Sequence, residues 1–164
     1  MDLALATGRG EALLTQWPEV DGPLVADEDA IQIGEREALD ATFDSFYGDV
    51  ARTPITRFIV QDVLRRGACE TARAAISRLQ LRGIDHAWLH VDLDVLDETA
   101  MPAVDSPGSP GLSFDQFSAL TGTLLSSGRI AGATVAIYDP ERDRNDRYAD
   151  PIVRALGTAF ERLP

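Results

Sequence analysis

Apolar runs of strand length alternate along this chain with longer segments whose apolar residues return at helical spacing. Ala30–Gly34 predicts a short buried strand ending in glycine, and Thr56–Val60, β-branched and aromatic, predicts a second. Ala87–Val91 predicts a third, and Ile130–Tyr138 a fourth that Asp139-Pro140 closes. Between them, Leu39, Phe43, Phe46 and Tyr47 mark an apolar face on a helix over Arg36–Tyr47, with the aromatics in the core. Gly67 precedes a helix over Ala68–Arg82, with Ala72, Ala75, Ile76 and Leu79 on one face and Gly83 as its stop. Ser113 and Gln116 form a capping-box pattern for a helix through Leu125. A last helix over Pro151–Glu161 has proline in its first turn.

The remainder reads as loop. Gly8-Arg9-Gly10, Trp17-Pro18 and Gly22-Pro23 punctuate the first thirty residues around a short helix at Glu11–Gln16. Gly8-Arg9-Gly10 is an incomplete phosphate-loop pattern with no strand before it, so it reads as a turn. Met101–Gly111 is rich in Pro, Gly and Ser, and Glu141–Arg147 is a charged, solvated turn. The alternation predicts a single α/β domain over residues 1–164, a mainly parallel sheet with helices on both faces. In such sheets ligands bind beyond the carboxyl ends of the strands.

Composition narrows the partners. A net charge of −12 argues against nucleic acid or an anionic membrane and favours a cationic substrate or metal ions. The 15 basic residues are all arginine, which we read as genomic base composition. The one cysteine, Cys69, has no internal disulfide partner and falls on the apolar side of its helix, as core packing. No run approaches the roughly 18–20 apolar residues of a membrane span, and no signal peptide opens the chain. A cytoplasmic location is expected.

The segment Ala87–Asp97 carries the most chemistry. Its apolar run leads into Asp92 and Asp94, two residues apart, with Asp97 three further on. Alternation along a strand puts Asp92 and Asp94 on one face, with Cα atoms roughly 6–7 Å apart. At an effective dielectric of about 20, carboxylates that close repel by about 2–4 kcal/mol. A strand tolerates the pair at a wet end, or around a cation for which hard divalent ions with oxygen ligands are suited. His90 reads as a packed or hydrogen-bonded histidine, or as a group orienting the ligands from behind, and His86 as surface.

His90-Val91-Asp92-Leu93-Asp94-Val95-Leu96-Asp97, then Pro102-Ala103-Val104-Asp105-Ser106-Pro107, then Pro110-Gly111-Leu112, resembles the ureohydrolase family of arginase, agmatinase and formimidoylglutamase. That family's pattern is an apolar strand, Asp-x-Asp-x-x-Asp, a proline, and a Pro/Gly-rich loop entering a helix. Met1-Asp2-Leu3-Ala4 with Gly8-Arg9-Gly10 is similar to the segment after the family's first metal motif, and Ala133–Pro140 to its last core strand. The likeness covers nearly all of this chain and about the second half of a full-length member.

The resemblance implies a three-layer αβα fold and a binuclear manganese centre whose bridging hydroxide attacks a guanidinium or amidine carbon. By carry-over, Asp92 bridges both ions, Asp94 binds one, and Asp97 is a loop acceptor or a support behind the ligands. The departures are specific. The family's upstream histidine motif and its Asp-x-His-x-Asp motif are absent, and its substrate-side glutamate is Ile137 here. Asp139 is the nearest substitute acid, on the same face if the strand continues. Pro110 replaces the first glycine of a Gly-Gly pair. The expectation is a carboxyl-terminal half with Met1 internal to a longer protein, carrying a partial site incomplete by itself. Such a half would expose a sheet edge, giving poor solubility or a homo-oligomer. Two alternatives stand. One is a degenerate, non-catalytic paralogue acting as a binding subunit. The other is a haloacid-dehalogenase type of phosphatase, which Val91-Asp92-Leu93-Asp94-Val95 also fits but which the late motif and absence of lysine disfavour.

Overall fold

The computed structural model describes residues 2–36 and 50–163. Short helices α1 (Asp2–Ala6) and α2 (Ala12–Thr15) open the chain, followed by β1 (Ile31–Glu35) and β2 (Thr56–Ile59). Helices α3 (Val60–Arg66) and α4 (Ala68–Leu81) lead to β3 (Ala87–Asp92) and a 3-10 turn over Leu93–Val95. Then come α5 (Phe114–Leu125), β4 (Ile130–Ala136) and α6 (Ala149–Phe160). The helix expected over Arg36–Tyr47, with Phe43, Phe46 and Tyr47, lies outside the described residues.

The strands pair in parallel, as the alternation predicts, β1 with β2 and β3 with β4. In register, His90 lies beside Thr134 and Asp92 beside Ala136. Val91 turns into a single core with Ala72 and Ala75 of α4, Phe117 and Leu124 of α5, and Ile152 of α6. Leu89 packs against that core, as do Ile31, Ile33 and Phe58 of the other strand pair. On the opposite face of β3, Trp88 is 64% exposed and lies over Gly132, where any Cβ would meet the indole at 2.2 Å.

Several boundaries moved for local reasons. The first residues form α1, where only loop was expected. Val60 ends no strand; it opens α3 directly from β2 and is fully buried. Strand β4 stops at Ala136 because Ile137 takes φ +63°, a conformation that β-branched residues rarely adopt. From there the chain turns onto the long loop: Val104 bridges Tyr138, and the Asp139 N–H donates to the Ala103 carbonyl at 2.9 Å. The capping box of α5 is complete, with Ser113 Oγ accepting from the Gln116 N–H at 3.2 Å and Gln116 Oε1 accepting from the Ser113 N–H at 2.9 Å. Gly8-Arg9-Gly10 is a turn, and Arg9 forks onto Asp27 at 2.7 and 2.5 Å.

Asp143 was read as part of a solvated turn, yet it is 5% exposed. Its carboxylate accepts from the Tyr138 hydroxyl at 2.8 Å and from the N–H groups of Tyr148 and Ala149, tying down the start of α6. Burial pushes its carboxyl upward, but those donors together outweigh burial and hold it below the ordinary range. The same hydrogen bond, with burial, pushes the Tyr138 phenol up to about 12.

At the end of β1 the Glu35 carboxylate is buried and held by Arg57, with Nε at 2.8 Å and Nη2 at 2.5 Å. Two parallel bonds satisfy both carboxylate oxygens, the arrangement that makes a buried ion pair tolerable. Arg57→Met should therefore cost about 3–5 kcal/mol, because it leaves an uncompensated buried charge. Urea denaturation would read this, and adding Glu35→Gln to that variant should recover much of the loss.

Candidate metal centre

The aspartate run is positioned by the apolar residues between its acids. Leu93 and Leu96 are buried to 1% and 0% exposure, so the chain leaving β3 is pinned from beneath. Asp92 ends the strand, but Asp94 sits in the 3-10 turn. Strand alternation therefore does not set the relation between the two acids; the turn does.

Asp92 Oδ1 is buried and has no hydrogen-bond partner among the described residues. Burial raises the carboxyl above its ordinary range, against the lowering effect of the His90 charge and the Asp94 N–H, while nearby Asp2 raises it further. His90 shares this face: Nδ1 lies 2.8 Å from Thr134 Oγ1, and Nε2 lies 3.5 Å from Asp2 Oδ2. His90 is thus a hydrogen-bonded strand residue, and its ring nitrogens address Thr134 and α1. His86 is exposed.

Asp94 has a cation nearby that sequence reading did not anticipate. Arg36, just past β1, places Nη2 3.7 Å from Asp94 Oδ2, and its Nη1 donates to the Asp94 carbonyl. Gly34 allows this approach: at φ +90° it bulges the strand, and a Cβ there would lie 2.4 Å from Val95 Cγ2. The only sequence signal was a glycine just inside the end of a strand, two residues before an arginine.

Asp97 organises the loop. It accepts from the Thr99 hydroxyl at 2.6 Å, the Thr99 N–H at 3.0 Å and the Gly111 N–H at 3.0 Å. The Thr99 and Ser109 hydroxyls and these N–H groups hold its carboxyl down at about 2. The loop closes so tightly that a Cβ on Gly111 would lie 2.3 Å from the Asp97 nitrogen. The second glycine of the expected pair is therefore the sterically required one, and Pro110 is accommodated.

Asp139 does not stand where a continuing strand would put it. Strand β4 has already ended at Ala136, and Ile137 takes φ +63°. The Asp139 carboxylate accepts from the Glu141 N–H at 2.9 Å and pairs with Arg142 Nε at 3.1 Å. The continuing strand that would put Asp139 on the face of the family's glutamate is not formed, because β4 ends at Ala136.

Carboxylate oxygens at the tip of a parallel strand, one of them buried without a donor, suit a hard cation. The fit is partial. Among the described residues no three His, Cys, Asp or Glu side chains gather into a group able to hold a metal.

A family model described as "Arginase family" matches residues 13–159. The chain belongs to the arginase family. Arginase from Bacillus caldovelox superposes with a TM-score of 0.82 at 28% identity, covering 98% of this chain and 52% of that one. Formimidoylglutamase from Chromobacterium violaceum is 35% identical over 74 residues, 45% of this chain and 24% of that protein. Formimidoylglutamase from Bacillus subtilis shares the fold, with a TM-score of 0.72 at 19% identity, covering 84% of this chain and 42% of that one. The αβα class expected from sequence is thus the arginase-family fold. This chain spans about half the length of the solved arginase and about a quarter of the matched formimidoylglutamase. Family membership leaves the haloacid-dehalogenase reading without support.

Asp97 makes a pH prediction for this member of the arginase family. Its folded carboxyl is held at about 2, below the ordinary value of 3.8, so the ionised form is the one the fold stabilises. That stabilisation is fully present above about pH 4 and fades as pH falls through about 2. Asp97→Asn should lower stability at neutral pH, and its deficit against wild type should shrink steadily below pH 4 in acid-denaturation curves.

Proposed function

We propose that this chain contributes Asp92 and Asp94, as carboxylate ligands, to a manganese centre that hydrolyses a C–N bond of a linear amidine or guanidine. The observation that carries the reading is the buried, partnerless Asp92 Oδ1 at the tip of β3, in a chain of the arginase family. The names arginase and formimidoylglutamase belong to relatives that are longer than the matched region, and each implies a nitrogen-rich substrate. The chain's charge of −12 favours a small cationic one.

A divalent ion bound there would supply positive charge that makes a water molecule acidic enough to serve as a nucleophile near neutral pH. The chain's own residues prepare the place. Burial of Asp92 leaves one acceptor oxygen without a donor among the described residues. Asp97 and Gly111 hold the loop closed behind them. Further ligands belong, in this reading, to polypeptide beyond the matched half. The open edges fit the same view: among the described residues β3 pairs only with β4, and Trp88 stands exposed beside that edge. Association through that edge, with another copy or with completing polypeptide, and a cytoplasmic setting are parts of this proposal.

A second reading, a binding subunit without catalysis, is favoured by one observation. Among the described residues no third ligating side chain joins the two carboxylates, and two alone hold metal weakly. The two readings separate in a manganese titration followed by electron paramagnetic resonance. The metal reading expects a protein-bound manganese signal that Asp92→Asn weakens by about tenfold or more, with urea release from arginine or agmatine, or loss of formimidoylglutamate, once the site is complete. A spectrum identical to free manganese in both proteins overturns it.

A further inference from the structure

We propose that Arg36 is a positioning residue for this centre, a clasp that holds the Asp94 turn and the Pro/Gly-rich loop in register with each other. The proposal rests on the metal-site reading above and adds a residue that reading does not require.

Arg36 reaches two separate segments from a third. Its Nη1 donates to the Asp94 carbonyl and its Nη2 to the Ser106 carbonyl at 3.3 Å. The guanidinium lies against Gly108, where a Cβ would come within 3.0 Å of Nε and 3.4 Å of Cζ. The side chain is 13% exposed, so this is a packed contact and not a surface encounter. Both bonds go to main-chain oxygens, and the Asp94 carboxylate lies further away, at 3.7 Å. An arginine that grips the backbone of a ligand residue sets the direction of its side chain without using both fork donors on the carboxylate itself.

The surrounding geometry serves the same contact. Gly34 lets β1 approach Val95, and the missing side chain of Gly108 makes room for the guanidinium plane. The Glu98 N–H donates to the Gly108 carbonyl at 3.0 Å, and the Leu112 N–H donates to the Val95 carbonyl at 2.9 Å. The two segments that Arg36 holds are therefore each tied to the aspartate run. Lysine would not substitute, because one compact ammonium does not reproduce the planar fork that spans both carbonyls.

The test uses amide hydrogen exchange on the whole chain, with manganese binding as a second readout. Arg36→Met should speed exchange at the Leu96 and Glu98 amides, bonded to the Leu93 and Gly108 carbonyls, by about tenfold or more, while the β3 amides before Asp92 keep their protection. Wherever wild type binds manganese, Arg36→Met should weaken it by about tenfold to a hundredfold, and Arg36→Lys should fall between the two. Unchanged exchange at Leu96 and Glu98 in Arg36→Met overturns the clasp. Faster exchange with unchanged manganese affinity overturns its role in positioning the ligand, and wild-type behaviour of Arg36→Lys shows that charge alone suffices and overturns it too. If Arg36→Met does not fold, Arg36→Lys decides by the same exchange readout. If wild-type protein binds no manganese, the metal reading fails by itself, and exchange still judges the clasp.

Discussion

Burial of Leu93 and Leu96 is the constraint from which the rest of the site follows. Both leucines are sealed beneath the turn that leaves β3. Fully burying a leucine side chain is worth about 1.5–3 kcal/mol each, enough to dictate the path of a short segment. With those side chains down, Asp92, Asp94 and Asp97 are left at the rim. The acids lie at the carboxyl end of a parallel strand because the leucines between them are anchored.

A rim holding three acids has to disperse negative charge, and each does so differently. Asp97 gathers hydroxyl and N–H donors and becomes a strong acid that fastens the loop. Asp94 has the Arg36 guanidinium at 3.7 Å. Asp92 keeps one buried oxygen without a donor among the described residues, and burial shifts its carboxyl upward. Structural acids in folded proteins generally acquire donors. Asp97, saturated with donors, builds the loop, whereas Asp92 Oδ1 has no donor among the described residues.

The same rim joins the two strand pairs. Among the described residues β1–β2 and β3–β4 form separate parallel pairs, yet Ile31, Ile33 and Phe58 share the core of β3. At the carboxyl ends Gly34 and Arg36 bring β1 against the turn that carries Asp94. Parallel sheets are ordinarily covered on both faces, and here Trp88 stands exposed on one of them. A chain matching about half of the solved arginase has its rim organised while one strand face remains open.

Sequence alone determined the local features whose cause is local. Ser113 and Gln116, three positions apart, specify a capping box, Gly83 ends α4, and apolar runs between turn residues specify β1 to β4 within a residue or two. The ordered aspartates and the Pro/Gly loop also revealed the family, because tight turns such as the one at Gly111 impose residue identity directly. Tertiary structure decided what depends on neighbours distant in the chain. Periodicity could not show that β4 would end before Asp139, since the chain there pairs with Ala103 and Val104 instead. Nor could it show that Asp143 would be buried under Tyr138, or that Arg36 would reach Asp94 across 58 residues. A side chain's spacing fixes which face it occupies, but its partner is chosen only when separate segments pack together.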